Sequence, residues 1–243
     1  MRDYAKEFDS RVASIRSLVE SSHTAGIVFG NSGGKDSALV GILCKAACDN
    51  TVGIIMPCAS KRNFELDADD GRVLAEQYDI ETRLIDLTPV REAEMAQLDG
   101  ITKLNDAAIT NIAPRLRMTT LYAVAAAENR LVAGTGNRSE AYMGYFTKWG
   151  DGAHDFNPIS DLTATEIFEF LEYLKAPRCI IDKAPSAGLF DGQTDEQEMG
   201  VTYKAIDEFL IKGTASEADM AVIRRFHERS EHKRRPIAKY KEL

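Results

Sequence analysis

The chain has 243 residues, 44% of them hydrophobic, and 38 acidic against 30 basic side chains give it a formal charge of −8. That length allows one sizeable core, expected as a single domain over 1–243, and no stretch reaches the ~18 uninterrupted apolar residues of a membrane span. The acidic balance excludes a broad nucleic-acid surface, and the start "MRDYAKEFDSR" lacks the apolar run of a signal peptide, so a soluble, cytoplasmic protein is expected.

In chain order, 25–30 "AGIVFG", 51–56 "TVGIIM", 81–87 "ETRLIDL" and 130–136 "RLVAGTG" read as short, β-branched-rich strands. Helical patterns fall between them, at roughly 36–48, at 65–78 with Leu66, Val73 and Leu74 among charges, and at 112–129 with Met118, Leu121, Tyr122 and Ala125 on one face. Alternating strand and helix predict an α/β fold, a doubly wound, mostly parallel sheet with helices on both faces. Ligands of such sheets sit beyond the carboxyl ends of the strands, where the strand order reverses. The second half reads as more helical: Thr163 to Glu166, "TATE", forms a capping box ahead of Ile167, Phe168, Leu171 and Leu174, and further helices are expected at 202–212 and 217–230. Between them 183–200 is a long polar and glycine-rich loop. Cys44, Cys48, Cys58 and Cys179 form no C-x-x-C pair and read as core thiols.

The stretch Gly30, Asn31, Ser32, Gly33, Gly34, Lys35, Asp36, Ser37 follows the first strand and opens a helix. It fails the Walker A pattern, because Phe29 stands where glycine is needed and Asp36 where Ser or Thr is needed. Its glycines let successive amides converge, the helix start adds positive potential, and Ser32 and Ser37 supply hydroxyls, so an anion such as phosphate fits. Asp36 would repel that anion unless a divalent cation lay between them, which is the requirement of a magnesium–nucleotide site.

The S-G-G-x-D-S core resembles the pyrophosphate loop of the N-type ATP pyrophosphatases, which cleave ATP between the α- and β-phosphates. The blocks 111–118 "NIAPRLRM", 134–140 "GTGNRSE", 144–159 "GYFTKWGDGAHDFNPI", 183–200 and 231–236 "EHKRRP" are similar, in order, to those of the NAD synthetase family. The resemblance implies an adenine nucleotide alpha hydrolase-like, Rossmann-like fold and the ammonia-dependent short form. Only about thirty residues precede the loop, which leaves no room for a glutaminase domain.

By that resemblance Gly30 to Ser37 hold the ATP phosphates, Asp36 and Glu140 ligate Mg2+, and Thr135 contacts ATP. Arg115, Lys148, Asp155, His232 and Lys233 stand at the positions for deamido-NAD, with the basic tail folding over it, in a homodimer. The implied reaction adenylates the deamido-NAD carboxylate and lets ammonia displace AMP, with Asp151 or Asp155 assisting ammonium deprotonation. Ala164 stands where the family usually has an ATP-contacting lysine, and Lys35 or Lys183 is expected to compensate. Ser186 stands where threonine is common, and Pro114 is expected in a first helical turn. Two other readings remain, a tRNA-thiolating relative and a nucleotide-binding regulator without catalysis. The acidic charge and unpaired cysteines weigh against the first, and the presence of both Asp36 and Glu140 against the second.

Overall fold

The structure is a computed structural model that describes residues 2–59, 67–183, 194–237 and 239–240. Four short strands, β1 Gly26–Gly30, β2 Thr51–Ile55, β3 Glu81–Leu84 and β4 Arg130–Ala133, form one sheet in the order β3-β2-β1-β4. Every pairing is parallel, with Val28 opposite both Val52 and Val132. Strand order runs outward from β1 to β3 and then returns to place β4 on the other side of β1. The reversal therefore lies between β1 and β4, and their carboxyl ends open the crevice expected of a doubly wound sheet.

Alternation along β1 decides what covers each face. Ile27 and Phe29 point into a core shared with α1 (Tyr4–Ser22), α2 (Lys35–Ala47) and α3 (Ala68–Tyr78). Leu39 and Leu43 from α2 and Leu74 from α3 complete that layer. Val28 points the opposite way and packs with Val52, Ile54, Val132, Ala113 and Ala125. The last two belong to α5 (Asp106–Glu128), which follows α4 (Thr88–Asp99). Helix α6 (Arg138–Met143) leaves the crevice, and α7 (Ala164–Leu174) and α8 (Arg178–Ile181) add Ile167, Phe170, Leu171 and Ile180 to the first core. Helices α9 (Asp195–Met199), α10 (Tyr203–Lys212), α11 (Glu217–Arg229) and α12 (Glu231–Arg234) follow; α9, α10 and α11 build a third cluster against Met143 and Ala164.

The predicted capping box forms, with the Thr163 side chain accepting from the Glu166 amide and Glu166 accepting from the Thr163 amide at 2.9 Å. Other details depart from sequence expectation. α5 begins at Asp106, capped by Asn105, so Pro114 lies inside the helix and Arg115 in its third turn rather than its first. The apolar pattern placed the start at 112, but the Asn105 cap starts the helix earlier, at the cost of the hydrogen bond Pro114 cannot donate. Phe168 is half-buried while Phe170 takes the core position, and Val73 is exposed beside buried Leu74. Cys179 is exposed rather than a core thiol, and Cys48 is only partly buried. Leu66 lies outside the described residues. No helix among the described residues is long and apolar enough to cross a membrane.

Helix α1 is tied to the loop ahead of α7 by charge. Arg11 grips Asp161 through two nitrogens at 2.7 and 2.8 Å, and Arg2 donates to Glu166 at 2.7 Å. Burial raises the pKa of Asp161 and of Glu166, but the Arg11 and Arg2 guanidiniums outweigh it and leave both carboxyls below their ordinary values. A depressed carboxyl contributes stability that is present above its unfolded pKa and lost as pH falls through the folded one. We expect the melting temperature of Arg11→Met to lie below that of the wild type by a constant margin above about pH 5, and the margin to shrink below about pH 4. A margin unchanged across thermal melts from pH 7 to pH 3 would contradict the linkage.

Candidate active site

The loop after β1 turns because Gly33 adopts φ +68°, and a Cβ there would stand 2.2 Å from the Asp67 carbonyl oxygen. Asn31, almost fully buried, fastens the loop from below, donating to the Gly71 carbonyl at 2.9 Å and accepting from the Gly33 amide. Ser32 and Ser37 hydroxyls lie 3.0 Å apart across the loop mouth. Gly34 caps α2 without a side chain, whereas α1, α5, α7, α10 and α11 each receive one at their N-termini. The first amides of α2 are therefore open to an anion from outside, as a phosphate cradle requires.

Across the reversal point, β4 exits through Gly134, where a Cβ would meet the His154 ring at 2.4 Å, and the chain passes Thr135 into α6. Asn137, fully buried, caps that helix and joins the two sides. Its Oδ1 accepts from the Glu140 amide at 2.9 Å, its own amide donates to Glu140 Oε2 at 3.0 Å, and its Nδ2 donates to Asp36 Oδ1 at 3.0 Å. Asp36 and Glu140 are thus held beside one another by a single residue, through its side chain on one side and its backbone amide on the other. Burial drives the Glu140 pKa well up, and the charge of Asp36 adds to it while Lys35 opposes it. Two carboxylates in mutual repulsion, with no described donor to Glu140 Oε1, suit a hard divalent cation. Among the described residues no group of three or more His, Cys, Asp or Glu converges.

One cavity of about 980 Å³ runs from the loop across the reversal point. Its wall includes Gly30, Asn31, Ser32, Gly34, Lys35, Asp36 and Ser37 from the loop and Thr135 and Glu140 from the opposite side. Further out it is lined by Asp151, Lys183 and Lys233. Lys183 bridges Asp67 at 2.7 Å and Asp70 at 2.6 Å and reaches the Gly33 carbonyl, pinning the start of α3 to the loop. Asp151 is exposed as a residue, yet its carboxyl turns inward and accepts from the Thr147 amide at 2.9 Å; burial raises its pKa, and that bond and Lys233 pull against the rise. Lys233 donates to the carbonyls of Gly144 and Phe146 at 2.8 and 2.6 Å, and burial lowers its pKa.

Arg115, Lys148 and His232 do not line this cavity. They form a chain outside it, with the Lys148 ammonium 2.7 Å from the His232 carbonyl and Arg115 3.4 Å from the Lys148 carbonyl. Asp155 spends both carboxylate oxygens on the protein, accepting from the Val132 amide at 2.8 Å and the Tyr122 hydroxyl at 3.1 Å. Ser186 lies outside the described residues. Sequence reasoning passed over Asn137, although Asn-x-x-Glu after a strand is a readable cap signal. It also set aside Arg117, which lines the cavity and donates to the Met56 carbonyl at 3.1 Å; two residues on a helix turn about 200°, so Arg115 and Arg117 face opposite ways.

If Asn137 sets the spacing of the two carboxylates, Asn137→Ala should lower the melting temperature by a few degrees through the lost cap, worth about 1 kcal/mol. It should also weaken ATP binding by about ten-fold or more through the released Asp36. Calorimetric titration with ATP and magnesium checks this, and an affinity equal to wild type would contradict it.

The family model for NAD synthase matches residues 7–237. An NH3-dependent NAD synthetase of Carboxydothermus hydrogenoformans is 46% identical over 224 residues, 91% of each chain. Among solved structures, the NMN synthetase of Francisella tularensis superposes with a TM-score of 0.93 at 39% identity, covering 98% of this chain and 99% of that one. The NH3-dependent NAD synthetase of Campylobacter jejuni gives 0.79 at 30% identity, over 98% and 99%. With the phosphate loop, the open helix start and the paired carboxylates at the strand reversal, these matches establish that the chain belongs to the NAD synthase family, among its NH3-dependent, ATP-using ligases that form a carbon–nitrogen bond.

Proposed function

We propose that this chain, as a single short-form unit, amidates deamido-NAD to NAD in two half-reactions, with the geometry of Asp36, Asn137 and Glu140 beside the open start of α2 as the observation that carries the reading. In the first, a carboxylate oxygen of the nicotinate group attacks the α-phosphorus of ATP in line. The bond from that phosphorus to the bridging oxygen breaks, and its electron pair leaves with pyrophosphate. The amides at the start of α2 and the hydroxyls of Ser32 and Ser37 hold the departing phosphates, and Lys183 adds a cation at the loop edge. Asp36 and Glu140 would hold magnesium, which when bound would neutralise charge on the phosphates.

In the second half-reaction ammonia adds to the acyl carbon, AMP departs with the carbon–oxygen electron pair, and a proton is lost from nitrogen. Asp151, on the cavity wall with a raised pKa, is the group we assign to hold that proton. No covalent enzyme intermediate is required. Lys233 and Arg117 line the outer cavity as cations for the anionic dinucleotide, and the outside chain of Arg115, Lys148 and His232 is assigned to the part of the substrate that extends beyond it, between two copies of a cytoplasmic homodimer. Thr135 and Ser186 are assigned to ATP, and Asp155 reaches substrate by giving up the Tyr122 hydroxyl.

One observation favours a second reading. The superposition is closer on the Francisella NMN synthetase than on the Campylobacter NAD synthetase, which points to amidation of the mononucleotide acid by the same chemistry. Product formation with ATP, magnesium and ammonium, run in parallel on deamido-NAD and nicotinate mononucleotide, separates the two. We expect turnover with ammonium and none with glutamine, one AMP and one pyrophosphate per amide, and a higher kcat/KM for deamido-NAD. A higher kcat/KM for the mononucleotide would establish the second reading, and no amide from either acid would contradict both.

A further inference from the structure

Lys35 is the first residue of α2, and its side chain is only 5% exposed. Its ammonium lies 2.5 Å from Asp36 Oδ2, the oxygen that Asn137 leaves open, and 5.9 and 5.4 Å from the centres of the Phe168 and Tyr203 rings. The charges of Glu140 and Asp195 bear on the same ammonium, and the Tyr203 hydroxyl donates to Asp195 at 2.9 Å. Among the described residues Asp36 is the one acceptor within hydrogen-bond distance of Lys35 Nζ, so two of its three N–H groups have no described acceptor. This residue also lines the cavity. A buried cation thus occupies the coordinating edge of one of the two carboxylates and still has donors to offer.

We propose that Lys35 is the resident cation of the Asp36–Glu140 position, that it keeps this position closed to a free divalent ion, and that it yields only when the ion arrives with the phosphates of a nucleotide. The inference rests on the reading that Asp36 and Glu140 hold the metal. A free ion ligating Asp36 Oδ2 has to displace the ammonium, which then stands buried between two aromatic rings without its partner. Removing one member of a buried pair in this way is strongly unfavourable. Triphosphate oxygens reverse that cost, because they accept the N–H groups that Lys35 has to spare and replace Asp36 as its anionic partner. Metal and nucleotide therefore enter together, and Lys35 moves from carboxylate to phosphate as they do.

The test is the affinity for Mn2+, read by the electron paramagnetic resonance of the free ion, with and without α,β-methylene ATP. Wild type, Lys35→Met and Lys35→Arg are compared, with Lys35→Gln as the neutral variant if Met does not fold by circular dichroism. Without nucleotide, the neutral variant should bind Mn2+ about ten-fold more tightly than wild type, and Lys35→Arg should match wild type. With the analogue, wild type should bind the Mn2+–nucleotide at least as tightly as the neutral variant. Equal affinity of wild type and neutral variant for free Mn2+ would overturn the inference and leave the metal reading intact. Adding Asp36→Asn to the neutral variant should abolish its Mn2+ site; a site that survives, or no Mn2+ bound by wild type even with the analogue, would overturn the metal reading and the inference with it.

Discussion

Asn137 is the tie on which this architecture depends. The strand reversal between β1 and β4 guarantees a crevice, but a crevice does not fix the distance between groups on its two sides. One buried amide side chain does so, capping α6 with its oxygen and holding Asp36 of α2 with its nitrogen. Glu140 closes the arrangement by accepting from the Asn137 backbone amide, so a local cap and a contact 101 residues apart in sequence meet on one residue. Such a tie is costly to lose because Asn137 is fully buried and both polar atoms of its side chain find their partners in it.

The second constraint is charge. An acidic chain of net −8 has to receive a substrate that is itself anionic. Its cavity wall nevertheless carries cations: Lys183 at the loop edge, Arg117, and Lys233 from the short α12 near the carboxyl end. Lys183 and Lys233 are already anchored, one on Asp67 and Asp70 and the other on two carbonyls, so ordering them is not deferred to the moment of binding. The basic tail is thereby built into the cavity wall at Lys233 while His232 remains outside.

Much of this was legible from residues alone, where a local signal and the global fold agree. The four strands, the loop Gly30 to Ser37 and the Thr163–Glu166 capping box are local patterns that tertiary contacts merely complete. Two strands still end early, at Leu84 and Ala133; beyond Ala133, Gly134 and Thr135 turn into the cavity wall, whereas beyond Leu84 the Ile85 and Leu87 amides still donate to the Ile55 and Pro57 carbonyls. Helices α1 and α4 escaped notice because charged residues interrupt their apolar faces, although Tyr4, Val12 and Ile15 of α1 are buried in the first core. The start of α5 was placed late because its apolar face begins after Ile112, whereas the Asn105 cap and the turns before it carry no such stripe. Arg115 and Arg117 cannot be told apart by type; only the direction of α5 against the sheet decides which of them meets the cavity. Lys35 read as a cation compensating for the lysine absent at Ala164, whereas its burial beside Asp36, Phe168 and Tyr203 depends on three elements distant in sequence.

The central claim is that the crevice activates a carboxylate by forming a bond to the α-phosphorus of ATP, with both carboxylates of the Asn137 tie intact. Exchange of labelled pyrophosphate into ATP measures that step alone, with ammonia left out. The account predicts exchange that requires a divalent ion and the acid substrate together, and that is lost in Asp36→Asn and Glu140→Gln. Exchange without the acid substrate, or release of ADP and phosphate in place of pyrophosphate, would contradict it.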